Sequence, residues 1–181
     1  MNRIQLHDLT FEPYITEDQI KERVSQLGAQ LREQFEGEIP VMLGVLKGAV
    51  VFVADLIRAF GAPCELAFLQ ISSYGSALSS SGKIKEVQPL NVQLSGRHVV
   101  ILEDIVDSGL SAVWLRERMA LESPASVTLV TLLSKPAARK VEVEADYTGF
   151  VIDPLFLVGY GLDYNQLGRE LSSIYVKSEA S

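Results

Sequence analysis

Residues 99–115 read "VVILEDIVDSGLSAVWL". An apolar run, Val99 to Leu102, meets Glu103 and Asp104 at once, and Asp107, Ser108, Gly109 and Ser111 follow. Carboxylates accept from hydroxyl groups, bind hard cations and take up protons. Hydroxyls and a permissive glycine backbone at the start of a helix supply donors and a partial positive charge to an anion. In a parallel α/β sheet, ligands sit where a strand ends and the next helix begins. That combination fits a phosphate, with the acids turned toward sugar hydroxyls, a metal or a proton to be removed. The structural alternative is a helix cap by Asp107 or Ser108, with Glu103 and Asp104 solvated. No G-x-x-x-x-G-K-[ST] and no G-x-G-x-x-G after a strand occurs, so a nucleoside-triphosphate loop and the dinucleotide fingerprint are excluded.

The elements that must position these residues are legible in the spacing. Ile20, Val24, Leu27, Leu31 and Phe35 recur at helical steps within 16–37, with Thr16 and Gln19 in the form of a capping box and Gly37 as a stop. Strands are expected over 40–46, 64–72, 98–103 and 126–134, and short ones over 146–152, 156–160 and 172–176. Helices are expected over 48–61 and 110–122. Strands alternating with helices predict an α/β domain with a largely parallel sheet. Residues 73–89, "SYGSALSSSGKIKEVQP", change to small polar composition and read as a long loop of the lid or binding kind.

A chain of 181 residues with 48% apolar and 22% charged residues is expected to fold as one domain over 1–181. The net charge of −7 argues against a broad basic face that grips nucleic acid. One cysteine, Cys64, and no basic-then-apolar leader favour a reducing, cytoplasmic setting. The apolar runs are too short to span a membrane, and His7 and His98 show no zinc spacing.

"VVILEDIVDSGLS" resembles the phosphoribosyl-pyrophosphate signature of type I phosphoribosyltransferases, and more narrowly that of the hypoxanthine-guanine phosphoribosyltransferase family. "VLKGAVVF" (45–52), "SSYGS" (72–76), "LLSKP" (132–136) and "FLVGYGLDYNQLGREL" (156–171) agree with that family in the same order. The resemblance runs from about Thr16 to about Val176. It implies a central, mostly parallel sheet flanked by helices, with a small hood formed by the N-terminal segment and about 150–176. It also implies purine salvage, the transfer of a phosphoribosyl group from phosphoribosyl pyrophosphate to hypoxanthine or guanine with release of pyrophosphate.

Carried over residue by residue, the resemblance makes Asp107 the general base that receives the purine's imidazole proton. Glu103 and Asp104 face the ribose hydroxyls. Asp107, Ser108, Gly109, Leu110 and Ser111 cradle the 5-phosphate, and Ile105 and Val106 also belong to the phosphoribosyl-pyrophosphate site. Leu46, Lys47 and Gly48 form the pyrophosphate loop, where the family has a cis peptide, and Arg169 also reaches pyrophosphate. Ser73 and Tyr74 begin a mobile loop over about 73–89. Lys135 donates to the purine 6-oxo group, Phe156 stacks on the base, and Leu157 meets its edge through the main chain. Asp163 lies at the base site and, with Glu103 and Asp104, is associated with Mg2+, partly through water or substrate.

Two departures from the family pattern bear on selectivity. Ser134 stands where relatives often carry an acid, and "GRELSSIYV" lacks an aromatic-proline segment. The resemblance further implies small-molecule substrates, no nucleic-acid or membrane partner, and a homodimer or homotetramer. The rival readings are a regulator that senses phosphoribosyl pyrophosphate and a xanthine-preferring transferase. Lys135 and the Phe156–Asp163 segment argue against adenine.

Overall fold

The computed structural model describes residues 2–73, 84–88 and 90–178. In chain order these form β1 (Ile4–Leu6), β2 (Leu9–Ile15), α1 (Glu17–Gln34), β3 (Val41–Leu46), α2 (Val50–Phe60), β4 (Glu65–Ser73), β5 (Ile84–Gln88), β6 (His98–Val106), α3 (Leu110–Ala120), β7 (Ser126–Ser134), β8 (Tyr147–Val151), β9 (Leu157–Val158) and β10 (Ile174–Lys177). A single 3₁₀ turn, Pro136–Ala138, follows β7.

Local chemistry explains the helix starts and stops. Thr16 Oγ1 accepts from the Gln19 amide, and Gln19 Oε1 accepts from the Thr16 amide, closing the expected capping box on α1. Gly61 ends α2 in the left-handed region (φ 59°), where a β-carbon is disfavoured. Ile20, Val24, Leu27 and Leu31 are the buried stripe of α1, as their spacing predicts.

The main sheet has six strands in the order β5-β4-β3-β6-β7-β8. All its pairings are parallel except β4 with β5. Alternation along β6 divides the core: Val100 and Leu102 pack with α1 and α2, while Val99 and Ile101 pack with Leu115 and Met119 of α3. Each such fully buried aliphatic side chain contributes about 1.5–3 kcal/mol. The two layers therefore hold the carboxyl end of β6 from both faces. A second sheet, β1-β2-β10-β9, is antiparallel and ties the two ends of the described chain together over Phe11, Val158 and Tyr175. It is the expected hood.

The structure corrects several boundaries. The strand expected to end at 103 continues to Val106, because β7 goes on pairing with it through Glu103↔Thr131, Ile105↔Leu133 and Val106↔Ser134. Glu103 and Asp104 thus lie within the strand. Within the span 73–89 expected to be a loop, residues 84–88 form β5, with Ser73 opposite Ile84. The small polar composition of 73–89 made the span look like loop, yet a strand with charged residues such as Lys85 and Glu86 is normal at a sheet edge. Residues 74–83 and 89, Tyr74 among them, fall outside the described residues. The β1–β2 hairpin was not expected; three residues are too few for a periodic signal in β1, and Pro13 interrupts β2. Among the described residues no helix is long and apolar enough to cross a membrane.

Candidate active site

The β6–α3 junction builds a cleft whose shape and backbone suit an anion. Gly109 (φ 83°) stands at the N-cap of α3 and offers no side-chain cap, while Ser108 Oγ accepts from the Leu110 amide at 3.5 Å. The amides that follow Leu110 in the first turn are the ones left to face a ligand. A β-carbon at Gly109 would lie 2.6 Å from Val143 Cγ1 as well as straining the backbone, so both space and φ demand glycine. Glu103 through Gly109, together with Ser111 and Ala112, line a cleft of about 260 Å³.

The two strand acids differ in their surroundings. Glu103 is buried, and its Oε1 has no partner among the described residues. Burial, followed by the nearby Asp104 charge, pushes the Glu103 carboxyl well above its ordinary range. Asp104 Oδ1 accepts from the Ile105 amide at 3.0 Å. Its carboxyl is pushed up to about 6 by burial, against the opposing pull of backbone amides and Arg169. The pair is short of partners for its acceptor oxygens, which suits it to hydroxyl donors or a cation.

The turn after β3 packs directly against this pair. The Leu46–Lys47 peptide bond is cis, as the resemblance implied. A β-carbon at Gly48 would stand 1.7 Å from Asp104 Oδ2, and one at Gly161 would stand 2.1 Å from the Gly48 carbonyl oxygen. Gly48 is therefore clasped between Asp104 and the 161 turn. Arg169 donates to the Gly161 carbonyl at 2.7 Å and pairs with Asp163 at 2.6 Å. The other Asp163 oxygen accepts from the Gln166 amide at 2.7 Å. Among the described residues no three metal-ligating side chains are grouped to hold an ion by themselves.

On the other side of β6, Lys135 is buried and its Nζ lies 3.1 Å from Asp107 Oδ2. Phe156 is 45% exposed and belongs to the hood rather than to this ion pair. Its ring meets Tyr164 edge-on at 5.6 Å and Phe11 at 6.0 Å. Leu157 is buried in β9. The sequence reading missed Phe11 and Tyr164, which support Phe156 from behind, and Tyr164 donates to Asp8 at 2.8 Å. Tyr164 stands next to Asp163 in a quoted motif, so its position was the available signal. Arg139, which contacts the cleft's backbone, was also missed.

Residues 15–165 match the family model "Phosphoribosyl transferase domain". The hypoxanthine-guanine phosphoribosyltransferase of Bacillus subtilis is 41% identical over 174 residues, covering 96% of both chains. The chain belongs to the hypoxanthine-guanine phosphoribosyltransferase family. A crystal structure of another member, from Bacillus anthracis, superposes with a TM-score of 0.87 at 39% identity, covering 91% of this chain and 97% of that one. The "Bifunctional protein TilS/HprT" of Listeria monocytogenes is 43% identical over 169 residues, which are 93% of this chain. The chain spans only 26% of the length of that relative.

Proposed function

We propose that the protein is a purine-salvage transferase that joins hypoxanthine, and also guanine, to the phosphoribosyl group of phosphoribosyl pyrophosphate. The observation that carries this reading is the Lys135–Asp107 pair, 3.1 Å apart, beside the start of α3 at Gly109. Residues 107–111 hold the 5-phosphate with backbone amides. Glu103 and Asp104 accept from the ribose hydroxyls, and Lys47, Gly48 and Arg169 flank the pyrophosphate. As the bond from the anomeric carbon to pyrophosphate breaks, a purine ring nitrogen bonds to that carbon, and Asp107 takes the proton released from the imidazole ring. Lys135 donates to the 6-oxo group, Phe156 covers one face of the base, and Leu157 meets its edge. Positioning and water exclusion do the remainder, since water would otherwise hydrolyse the donor.

Mg2+ fits this site. Glu103 offers an unpartnered buried oxygen and Asp104 a second carboxylate, and Mg2+ commonly binds through one or two carboxylates plus substrate phosphates. Bound there, it would stabilise charge on the departing pyrophosphate as a Lewis acid. Asp163, paired with Arg169, would be associated with Mg2+ through water or substrate at the edge of the base site. Exposed Val50, Leu66 and Phe68 support a homodimer or homotetramer, and the lone Cys64 supports a cytoplasmic setting.

The deciding experiment follows nucleotide formation from phosphoribosyl pyrophosphate with hypoxanthine, guanine, xanthine and adenine, each with Mg2+. Hypoxanthine should be the best acceptor and guanine the second. Donor binding without turnover of any base would establish the sensor reading in its place, and adenine as best acceptor would overturn the role of Lys135.

A further inference from the structure

A backbone cradle binds an anion only if its N–H groups face inward and its carbonyls face away. In a trans peptide unit the C=O of one residue and the N–H of the next point in opposite directions. The orientation of the 107–109 amides is thus set by what captures the carbonyls of Val106, Asp107 and Ser108.

All three carbonyls are captured by one segment. The Val106 carbonyl accepts from the Lys135 amide at 3.0 Å, and the Ser108 carbonyl from the Lys140 amide at 2.9 Å. The Asp107 carbonyl has a side-chain donor, the Arg139 guanidinium, at 2.5 Å; the same nitrogen also donates to Val106. Arg139 reaches Ser134 Oγ at 2.9 Å and the Val143 carbonyl at 3.3 Å with its remaining nitrogens. All four acceptors are neutral oxygens. The anion cleft is lined by residues between 103 and 112, with none from 134–143, so Arg139 grips the cradle from behind. The other two nitrogens of the planar fork are anchored on Ser134 Oγ and the Val143 carbonyl, and this fixes the nitrogen that bridges the two carbonyls, an anchoring that a lysine ammonium lacks.

We propose that Arg139 is a positioning residue for the 5-phosphate of the donor: by holding the Val106 and Asp107 carbonyls, it turns the following amides into the cradle. This rests on the assignment of residues 107–111 as the 5-phosphate site. Lys135 and Arg139 flank the same 3₁₀ turn, so the turn serves the purine through one residue and the phosphate through the other.

The test compares Arg139→Met and Arg139→Lys with the parent enzyme. Steady-state kinetics are combined with amide exchange of residues 107–109, with and without inorganic phosphate. Arg139→Met should raise KM for phosphoribosyl pyrophosphate by about tenfold or more, with kcat and the purine KM within about threefold. Phosphate-induced protection of the three amides should be lost, and Arg139→Lys should fall between the two. A donor KM within about threefold of the parent in Arg139→Met overturns the proposal. If Arg139→Met does not fold, a parent-like donor KM in Arg139→Lys does the same. Equal rises in both KM values with protection retained would also overturn it, by revealing a merely structural role. Absence of phosphate protection in the parent enzyme would instead remove the 5-phosphate assignment, and the proposal with it.

Discussion

Asp107 and Lys135 are the first residues beyond the last rung of the β6–β7 ladder, Val106↔Ser134, and their side chains meet at 3.1 Å. The in-register parallel pairing brings an acceptor and a donor together. A 6-oxopurine carries O6 and N7 side by side on one edge. One ion pair can therefore address both, Lys135 at the oxygen and Asp107 at the imidazole proton.

Asp107→Asn should keep the shape of this arrangement and remove the proton acceptor. Turnover is expected to fall by about 10²–10⁴ fold. Donor affinity should change far less, because the cradle uses backbone amides. Steady-state kcat and a donor binding isotherm check the two halves separately. Normal turnover in the amide variant would mean that another group is the base.

Lys135 carries only donors, so the 6-amino group of adenine meets it donor to donor. Each unpaired buried group costs about 1–3 kcal/mol, and more when it is charged. The parent enzyme should therefore reject adenine by orders of magnitude in kcat/KM. Lys135→Met should lower efficiency with hypoxanthine and narrow its advantage over adenine by at least about tenfold. An unchanged ratio between the two bases would show that Lys135 does not read position 6.

The parallel sheet and its helices were legible because their apolar spacings are long and regular, as in Ile20 to Leu31 and Val99 to Leu102. The β6–α3 turn was legible as a motif, in the Ser-Gly-x-Ser that follows an apolar strand. Other features were not. The continuation of β6 through Glu103 and Asp104 is set by its partner β7, a non-local pairing that local composition opposes. Strand β5 is stabilised at the sheet edge by β4 and by Arg118, which pairs with Glu86 at 3.0 Å. Arg139 follows a turn of weak local pattern, and only the folded chain shows it reaching back to residue 107.

The strand acids give ligand-free stability a sign that differs from the usual carboxylate. The folded-state value for Asp104 is raised to about 6, chiefly by burial, and that of Glu103 is raised too. The folded protein thus takes up these protons at higher pH than the unfolded chain, where carboxylates titrate near about 4. Their favourable contribution is complete below the unfolded value and is lost as pH rises through about 6. The melting temperature of the ligand-free protein should therefore rise by several degrees between pH 7.5 and 5.5. Asp104→Asn should flatten that slope and raise the melting temperature at pH 7.5, while weakening donor binding. A parent melting temperature that is level or falls over this interval would refute the assignment.

Gly48 provides the last test, because its proximity to Asp104 couples the turn proposed for pyrophosphate to the acids proposed for the ribose. An added β-carbon would lie 1.7 Å from Asp104 Oδ2, so either the turn or the carboxylate must move. The turn is held on its other side, where the Gly48 carbonyl lies against Gly161. The carboxylate is held by the Ile105 amide at 3.0 Å. Overpacking of this kind costs about 1–3 kcal/mol. Gly48→Ala should therefore destabilise the protein by that amount and raise the donor KM. If the clash with Asp104 is the cause, Gly48→Ala should cost much less in an Asp104→Ala background, where the obstructing oxygens are gone. Chemical denaturation of the parent, both single variants and the double variant measures this coupling directly. Additive effects would mean that Gly48 is required by its turn alone, and that Asp104 and the pyrophosphate loop are set independently.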